Sequence, residues 1–261
     1  MSKTIVQRFI EMSRLYHFTS FKAACKIIQS GKLRFGQPFR MNDLIESNRI
    51  VFQRTYLNDM SEDKGNGLYA EAEMHRYQQI SFSQDRELDG NYILGFDLHS
   101  MWGLYAECGY GVCLVFDKKK LELEKGDYGS DVKYCDYPPT SFIINNRSRA
   151  GIRAEVWRKK DSIFFYKKKE WEHEQEYRVI RRARSEMDDE YLDVSDSLSF
   201  AIICKDYSVF EQESMFDGDY YKGLRFINRR LPVLTYENGL DGFTLFRRFM
   251  EPIWAEQVGF F

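Results

Sequence analysis

Proline is scarce in this chain, five in 261 residues, and no Gly/Ser-rich or Pro-rich stretch divides the sequence into blocks. A flexible linker is therefore absent from the sequence, and one domain over residues 1–261 is expected, with Pro138-Pro139 the best candidate for a boundary. The five cysteines, Cys25, Cys108, Cys113, Cys135 and Cys204, are odd in number and form no C-x-x-C pair, which excludes a disulfide framework or zinc ribbon and points to a reducing cytoplasm. No Walker P-loop, no G-x-G-x-x-G after a strand and no H-E-x-x-H helix occurs. The four histidines, at positions 17, 75, 99 and 173, have no paired spacing, so chemistry without a metal is expected. No apolar run reaches the roughly 18 residues of a membrane helix, so a membrane is not expected as a partner. Lys3, Arg8, Glu11 and Arg14 interrupt the first twenty residues, which excludes a signal-peptide core there.

What is abundant is rings. Aromatic residues make up 16%, with 17 Tyr and 21 Phe, and hydrophobic residues 43%, so a folded protein with a ring-rich core is expected. The net charge of -2 is unevenly spread: residues 147–184 hold thirteen Lys/Arg against six Asp/Glu, a segment of +7 that leaves -9 for the remainder. Its clusters, Arg158 to Lys160, Lys167 to Lys169 and Arg181 to Arg184, could draw in phosphates of a nucleotide or a nucleic acid. A solvated lysine-rich face fits the same charges equally well.

The periodicity predicts a short strand over 15–18, then a helix capped by Thr19 or Ser20, with Phe21, Ala24, Cys25 and Ile28 on one face and Gly31 at its end. A second short strand is expected at 32–35 and a helix over 67–79. Further strands are expected at 80–83, 92–96, 111–116, 132–134, 176–181 and 200–204, with helices at 99–107 and from 147 onward. Strands and helices alternate irregularly, without the repeating unit of a doubly wound sheet, so the fold class is α+β with a largely antiparallel sheet.

Glu174, Glu176 and Arg178 stand at a spacing of two, which on a strand puts all three charges on one face. Two carboxylates and a guanidinium on rigid backbone make a chemical site, or else a solvated edge strand whose charges balance. His17 and Thr19 sit at a strand-to-helix junction, where a ring nitrogen, a hydroxyl and helix amides gather. Ser81 and Ser83 flank Phe82 and share a face, but lack the G-x-S-x-G context and partners of a serine hydrolase. Trp102 and Tyr105, three apart on a helix, make either a core pair or a stacking platform for a flat or cationic ring.

In order and spacing these pieces resemble an uncharacterised bacterial domain family of the ADP-ribosyltransferase superfamily, associated with defence and toxin-like loci. The motifs are Leu15 to Ser20, Gly31 to Phe35, Phe39 to Glu46, Ile80 to Ser83, Met101 to Ala106, Gly111 to Asp117 and Trp171 to Arg178, so the resemblance covers roughly residues 15–205. It implies a split antiparallel sheet flanked by helices, with NAD as substrate lying across it. It also implies an NAD-dependent ADP-ribosyltransferase, a toxin or phage-defence effector that releases nicotinamide and passes ADP-ribose to protein, RNA or DNA, with an antitoxin protein as partner. In that pattern His17 stands for the first-strand group, Ser81 with Ser83 for the middle strand, and Glu176 for the catalytic carboxylate. Glu174, first in a Glu-x-Glu pair, would activate the acceptor. His17 and Thr19 would place the ribose and the nicotinamide amide, Trp102 or Tyr105 would stack on the ring, Arg40 or Arg178 would neutralise phosphate, and Asn42 would also contact the cofactor. A first-strand His normally accompanies a middle-strand Tyr, so this chain mixes two patterns. The alternative is a non-catalytic nucleic-acid or protein-binding module on the same fold.

Overall fold

The computed structural model describes residues 13–37, 64–88, 91–139, 142, 144, 146, 148–184, 189–204, 226–227, 229–239 and 242–246. In chain order β1 (Arg14–Thr19) leads into α1 (Phe21–Ser30) and β2 (Lys32–Arg34), and α2 (Lys64–His75) precedes β3 (Tyr77–Gln84). A hairpin of β4 (Arg86–Leu88) and β5 (Asn91–Ile93) follows, then α3 (His99–Tyr105), β6 (Val112–Asp117), β7 (Tyr128–Asp131) and β8 (Lys133–Cys135). The last third holds α4 (Arg149–Arg158), α5 (Lys160–Phe164), β9 (Tyr166–Lys168), a 3-10 turn (Lys169–Glu174), β10 (Glu176–Arg182), β11 (Tyr191–Asp193), β12 (Leu198–Ile203), β13 (Val233–Gly239) and β14 (Gly242–Phe246). The fold is α+β, a large, mostly antiparallel sheet flanked by helices.

Local chemistry sets α1 as expected. Ser20 caps α1 by accepting from the Ala23 amide, and Gly31 closes it in the left-handed conformation at φ 66°. Phe21, Ala24 and Ile27 point inward, and burying side chains of the size of Phe21 and Ile27 contributes about 1.5–3 kcal/mol each.

Eight strands run in the order β14-β13-β12-β6-β1-β3-β10-β7, with only β12 and β13 parallel among the pairs. The centre of this sheet divides. β1 pairs with β6 over its whole length and β3 with β10 over seven residues, yet β1 and β3 meet only at Leu15 with Gln84 and Tyr16 with Ser83. Beyond that point the strands part, and the far end of β3 is bridged instead by Gly36, whose backbone exchanges two 2.8 Å hydrogen bonds with Gln79. A cleft lies between the two contacts.

Both faces of the sheet are covered, which explains why its inner strands read as unbroken apolar runs. Val112, Leu114 and Phe116 of β6 face the core that α1 shares with Leu15, Ile80, Phe82 and Val179. Cys113 and Val115 face the opposite core, where α3 packs on Tyr16, Phe18, Phe200 and Tyr236. A third cluster joins α2, α4 and α5 around Tyr77, Val132 and Ile180.

Three element expectations need correction. The helix expected over 67–79 ends at His75, because Tyr77, Gln78 and Gln79 pair with β10 and tertiary pairing overrides local propensity. The strand expected over 92–96 stops at Ile93, and Gly95 lies so close to the Tyr16 ring that a Cβ there would come within 2.4 Å. Glu174 is not in a strand: it ends a 3-10 turn, and β10 begins at Glu176.

Candidate functional site

The cleft has a volume of about 210 Å³. That is below the roughly 300–1,000 Å³ of pockets that enclose a drug-sized ligand, so the cleft has room for a ring-sized group. Phe18, Phe82 and Met101 give it apolar walls. His17, Gln79, Ser81, Ser83, Glu174 and Glu176 supply its polar groups, with Tyr105 and Lys167 beside them.

The floor is a balanced cluster of two carboxylates, one ammonium and one guanidinium. Glu176, 3% exposed, accepts at Oε1 from Ser81 Oγ (2.6 Å) and Arg178 Nε (2.7 Å). At Oε2 it accepts from Arg178 Nη2 (2.9 Å) and Lys167 Nζ (2.8 Å). Lys167, 6% exposed, also donates to Glu174 Oε2 at 2.5 Å, and Tyr105 donates its hydroxyl to Glu174 Oε1 at 2.7 Å. The Arg178 guanidinium, fully buried, donates further to the carbonyl of Phe164. Burial alone would push the Glu176 carboxyl up, but Arg178 and then Lys167 outweigh it and hold it well below the usual carboxylate range. Glu176 is therefore ionised at neutral pH. A carboxylate offers about four lone-pair positions, so Glu176 is filled by its own partners, while Glu174 has taken two donors.

The two glutamates reach the same cleft because Gln175 between them is left-handed, at φ 49° and ψ 48°. Gln175 is tied down on both sides: its amide donates to the Glu172 carbonyl and its carbonyl accepts from the Gln84 amide. Strand alternation would also put both glutamates on one face, but the chain reaches this arrangement through a turn. From β10 onward alternation holds, and Glu176 and Arg178 share a face opposite Ser83 and Ser81.

His17 faces the cleft from β1, its ring edge-on to Phe82 with centroids 5.9 Å apart. Its Nδ1 lies 3.1 Å from the Ser81 carbonyl, and a carbonyl can only accept, so Nδ1 carries a proton. Burial lowers the pKa of the ring, only partly offset by that hydrogen bond, which favours the neutral form with Nε2 as an acceptor.

His17, Ser81, Ser83, Tyr105, Glu174 and Glu176, all candidates from the sequence, are thus brought together. Others are not. Trp102 is a core residue: it stacks on Tyr236 at an interplanar angle of 4° and donates its indole N–H to the Phe96 carbonyl, so it offers no face to a ligand. Arg178 is spent on Glu176 and Phe164 and does not reach the cleft as a phosphate partner. Thr19, paired with Val112 at the end of β1, is not among the residues lining the cleft. The helix amides beside it are already engaged, Phe21 by Glu107 at 3.1 Å and Ala23 by Ser20 at 3.2 Å. Arg40 and Asn42 lie outside the described residues.

The solvated edge strand is also overturned, since β10 lies inside the sheet between β3 and β7 and its charges are buried. Among the described cations of the +7 segment only Lys167, Arg178 and Arg181 are buried, and several of the others are paired at or near the surface. Arg153 and Arg182 pair with Glu73, Lys159 with Glu155, Arg181 with Asp127 and Arg184 with Glu124. Arg149, Arg153, Arg158, Lys169 and Arg184 stay exposed, so pairing reduces the phosphate-attracting charge suggested by composition without removing it. Lys167 and Gln79 were missed. Lys167 is hidden in a run of three lysines, whereas Gln79 was legible as the next polar residue in the Gln79, Ser81, Ser83 alternation had β3 been started early enough.

Among the described residues no three His, Cys, Asp or Glu side chains gather as metal ligands, and no helix is long and apolar enough to cross a membrane. A family model described as "Protein of unknown function (DUF2971)" matches residues 101–179, a span that includes Tyr105, Lys167 and both glutamates but neither β1 nor β3. No curated protein and no solved structure matches the chain.

Proposed function

We propose that the chain is an ADP-ribosyltransferase that cleaves nicotinamide from NAD in the sheet cleft, on an ADP-ribosyltransferase-like split sheet, and passes ADP-ribose to a protein or nucleic-acid acceptor. The observation that carries this reading is the 2.6 Å hydrogen bond from Ser81 to Glu176, made where the strands part and in the cleft that His17 also lines. It joins the middle-strand hydroxyl to the late-strand carboxylate beside the first-strand ring, the set that the sequence resemblance implies.

The chemistry suits these groups. Breaking the bond between nicotinamide and ribose develops positive charge on the sugar, and a fixed, buried carboxylate stabilises that charge as it appears. Glu176 supplies it without reorganising, because Ser81, Lys167 and Arg178 already hold both its oxygens. Glu174, with acceptor positions to spare, takes the hydrogen bond of an incoming hydroxyl. His17 Nε2 accepts from a ribose hydroxyl, and the Tyr105 ring lies against the nicotinamide. The toxin or phage-defence role, and an antitoxin partner, follow from the same resemblance.

The test is nicotinamide release from NAD by the purified full-length chain. Glu176→Gln should lower the rate about 100- to 1,000-fold, the usual cost of one well-placed electrostatic group. Circular dichroism should remain that of the parent. Absence of nicotinamide release and of any ADP-ribosylated product in a lysate given labelled NAD would refute the reading.

A further inference from the structure

Three alternating residues of β3 form a polar stripe, Gln79, Ser81 and Ser83, along the cleft. Ser81 is accounted for by Glu176. Gln79 is not: it is 2% exposed, yet among the described residues both its Oε1 and its Nε2 lack a hydrogen-bond partner, and Ser83 Oγ, in a residue 1% exposed, lacks one there too. Buried polar groups are almost always paired, so a carboxamide with donor and acceptor both idle calls for an explanation. Gln78 and Gln175 also carry an idle Oε1, but neither lines the cleft. The position of Gln79 is fixed, because its backbone is bonded twice to Gly36.

We propose that Gln79 is the specificity residue of the cleft and reads a ligand group with an N–H donor beside an acceptor, as in a primary carboxamide or the amino edge of adenine. The inference rests on the NAD reading for its choice of ligands. A carboxamide side chain matches such a group with two parallel hydrogen bonds, as Asn and Gln do on the edge of adenine. A ligand with acceptors alone leaves Gln79 Oε1 unpaired, and selection against such analogues is strong in sites built this way.

The experiment is calorimetric titration of the full-length chain and of Gln79→Met with nicotinamide, nicotinic acid, adenosine and purine riboside, which lacks the amino donor, alongside melting curves without ligand. The parent should prefer nicotinamide to nicotinic acid, or adenosine to purine riboside, by about 10- to 100-fold. Which pair is discriminated assigns the group to the nicotinamide or the adenine end. Gln79→Met should lose that preference, and its ligand-free melting temperature should rise because an idle buried amide is gone. Gln79→Leu provides the same readout should the methionine variant fold poorly. The inference is overturned if the parent shows no preference within either pair, absence of binding included, or if both variants keep it. Preference lost on substitution in a chain that never consumes NAD would sink the transferase reading and leave this site standing. NAD turnover with unchanged KM in Gln79→Met would do the reverse.

Discussion

Asp85 is disturbed by the fold in the sense opposite to Glu176. Its Oδ1 accepts from the Gly95 amide at 2.8 Å and its Oδ2 from the Tyr16 hydroxyl at 3.2 Å, with Arg14 nearby, yet burial prevails and lifts its pKa to about 6. The unfolded chain, near 3.8, releases this proton first. Stability from this group is therefore full below the unfolded value and lost as pH rises through about 6. At 1.36 kcal/mol per unit the loss is on the order of 3 kcal/mol. Asp85→Asn keeps an acceptor for Gly95 and removes the charge, so it should be more stable than the parent at pH 7 and converge with it by pH 4. Urea titrations at the two pH values check this, and a variant less stable at pH 7 would show that the attraction of Arg14 outweighs burial. Nothing in the sequence marks Asp85 in this way, since its neighbours Tyr16 and Gly95 arrive from other parts of the chain. The same limit hid Lys167, which is one lysine among three until β9 is placed against the glutamates.

At the scale of elements, the turn before β10 sets how Glu174 reaches the cleft beside Glu176. Spacing in the sequence made Glu174, Glu176 and Arg178 a row on one strand, and the chain instead makes a left-handed step at Gln175. A single non-glycine residue at positive φ leaves no periodic trace, so its effect could not be read from alternation. Both ends of the step are fixed by backbone hydrogen bonds, to Glu172 and to Gln84. Gln175→Gly should thus be neutral or mildly stabilising in thermal melts, because glycine adopts this conformation without strain. Gln175→Val, branched at Cβ, should cost about 1–3 kcal/mol. Equal stability of the two would mean that the turn relaxes freely and that the placement of Glu174 does not depend on it. Elements with strong local signals were legible: the cap at Ser20, the stop at Gly31 and the apolar run of β6 all lie where residue chemistry puts them.

For the molecule as a whole, the sequence conveyed an antiparallel α+β protein but not the place where its sheet divides, because pairing partners far apart in the chain set that. The two halves meet at the Tyr16 and Ser83 pairing, and the other end of the cleft is closed by the bridge between Gly36 and Gln79, so a ligand between the halves adds a further connection. Backbone direction makes this testable at one atom. Gln79 turns its N–H toward Gly36, and two residues on, Ser81 turns its backbone to the same edge, where its carbonyl already meets His17. A ligand that fills the cleft at 100 times its Kd stabilises the fold by about 2.7 kcal/mol through mass action. Amide exchange at Ser81 and along the facing edge of β1 should then slow, while exchange in β13, on the far side of β12 and β6, should slow only to the extent that global unfolding is suppressed. Nicotinamide or adenosine, whichever binds, is the probe. If protection rises equally everywhere, or at β13 and not at Ser81, the ligand sits outside the divided sheet, and the cleft loses its claim to be the site.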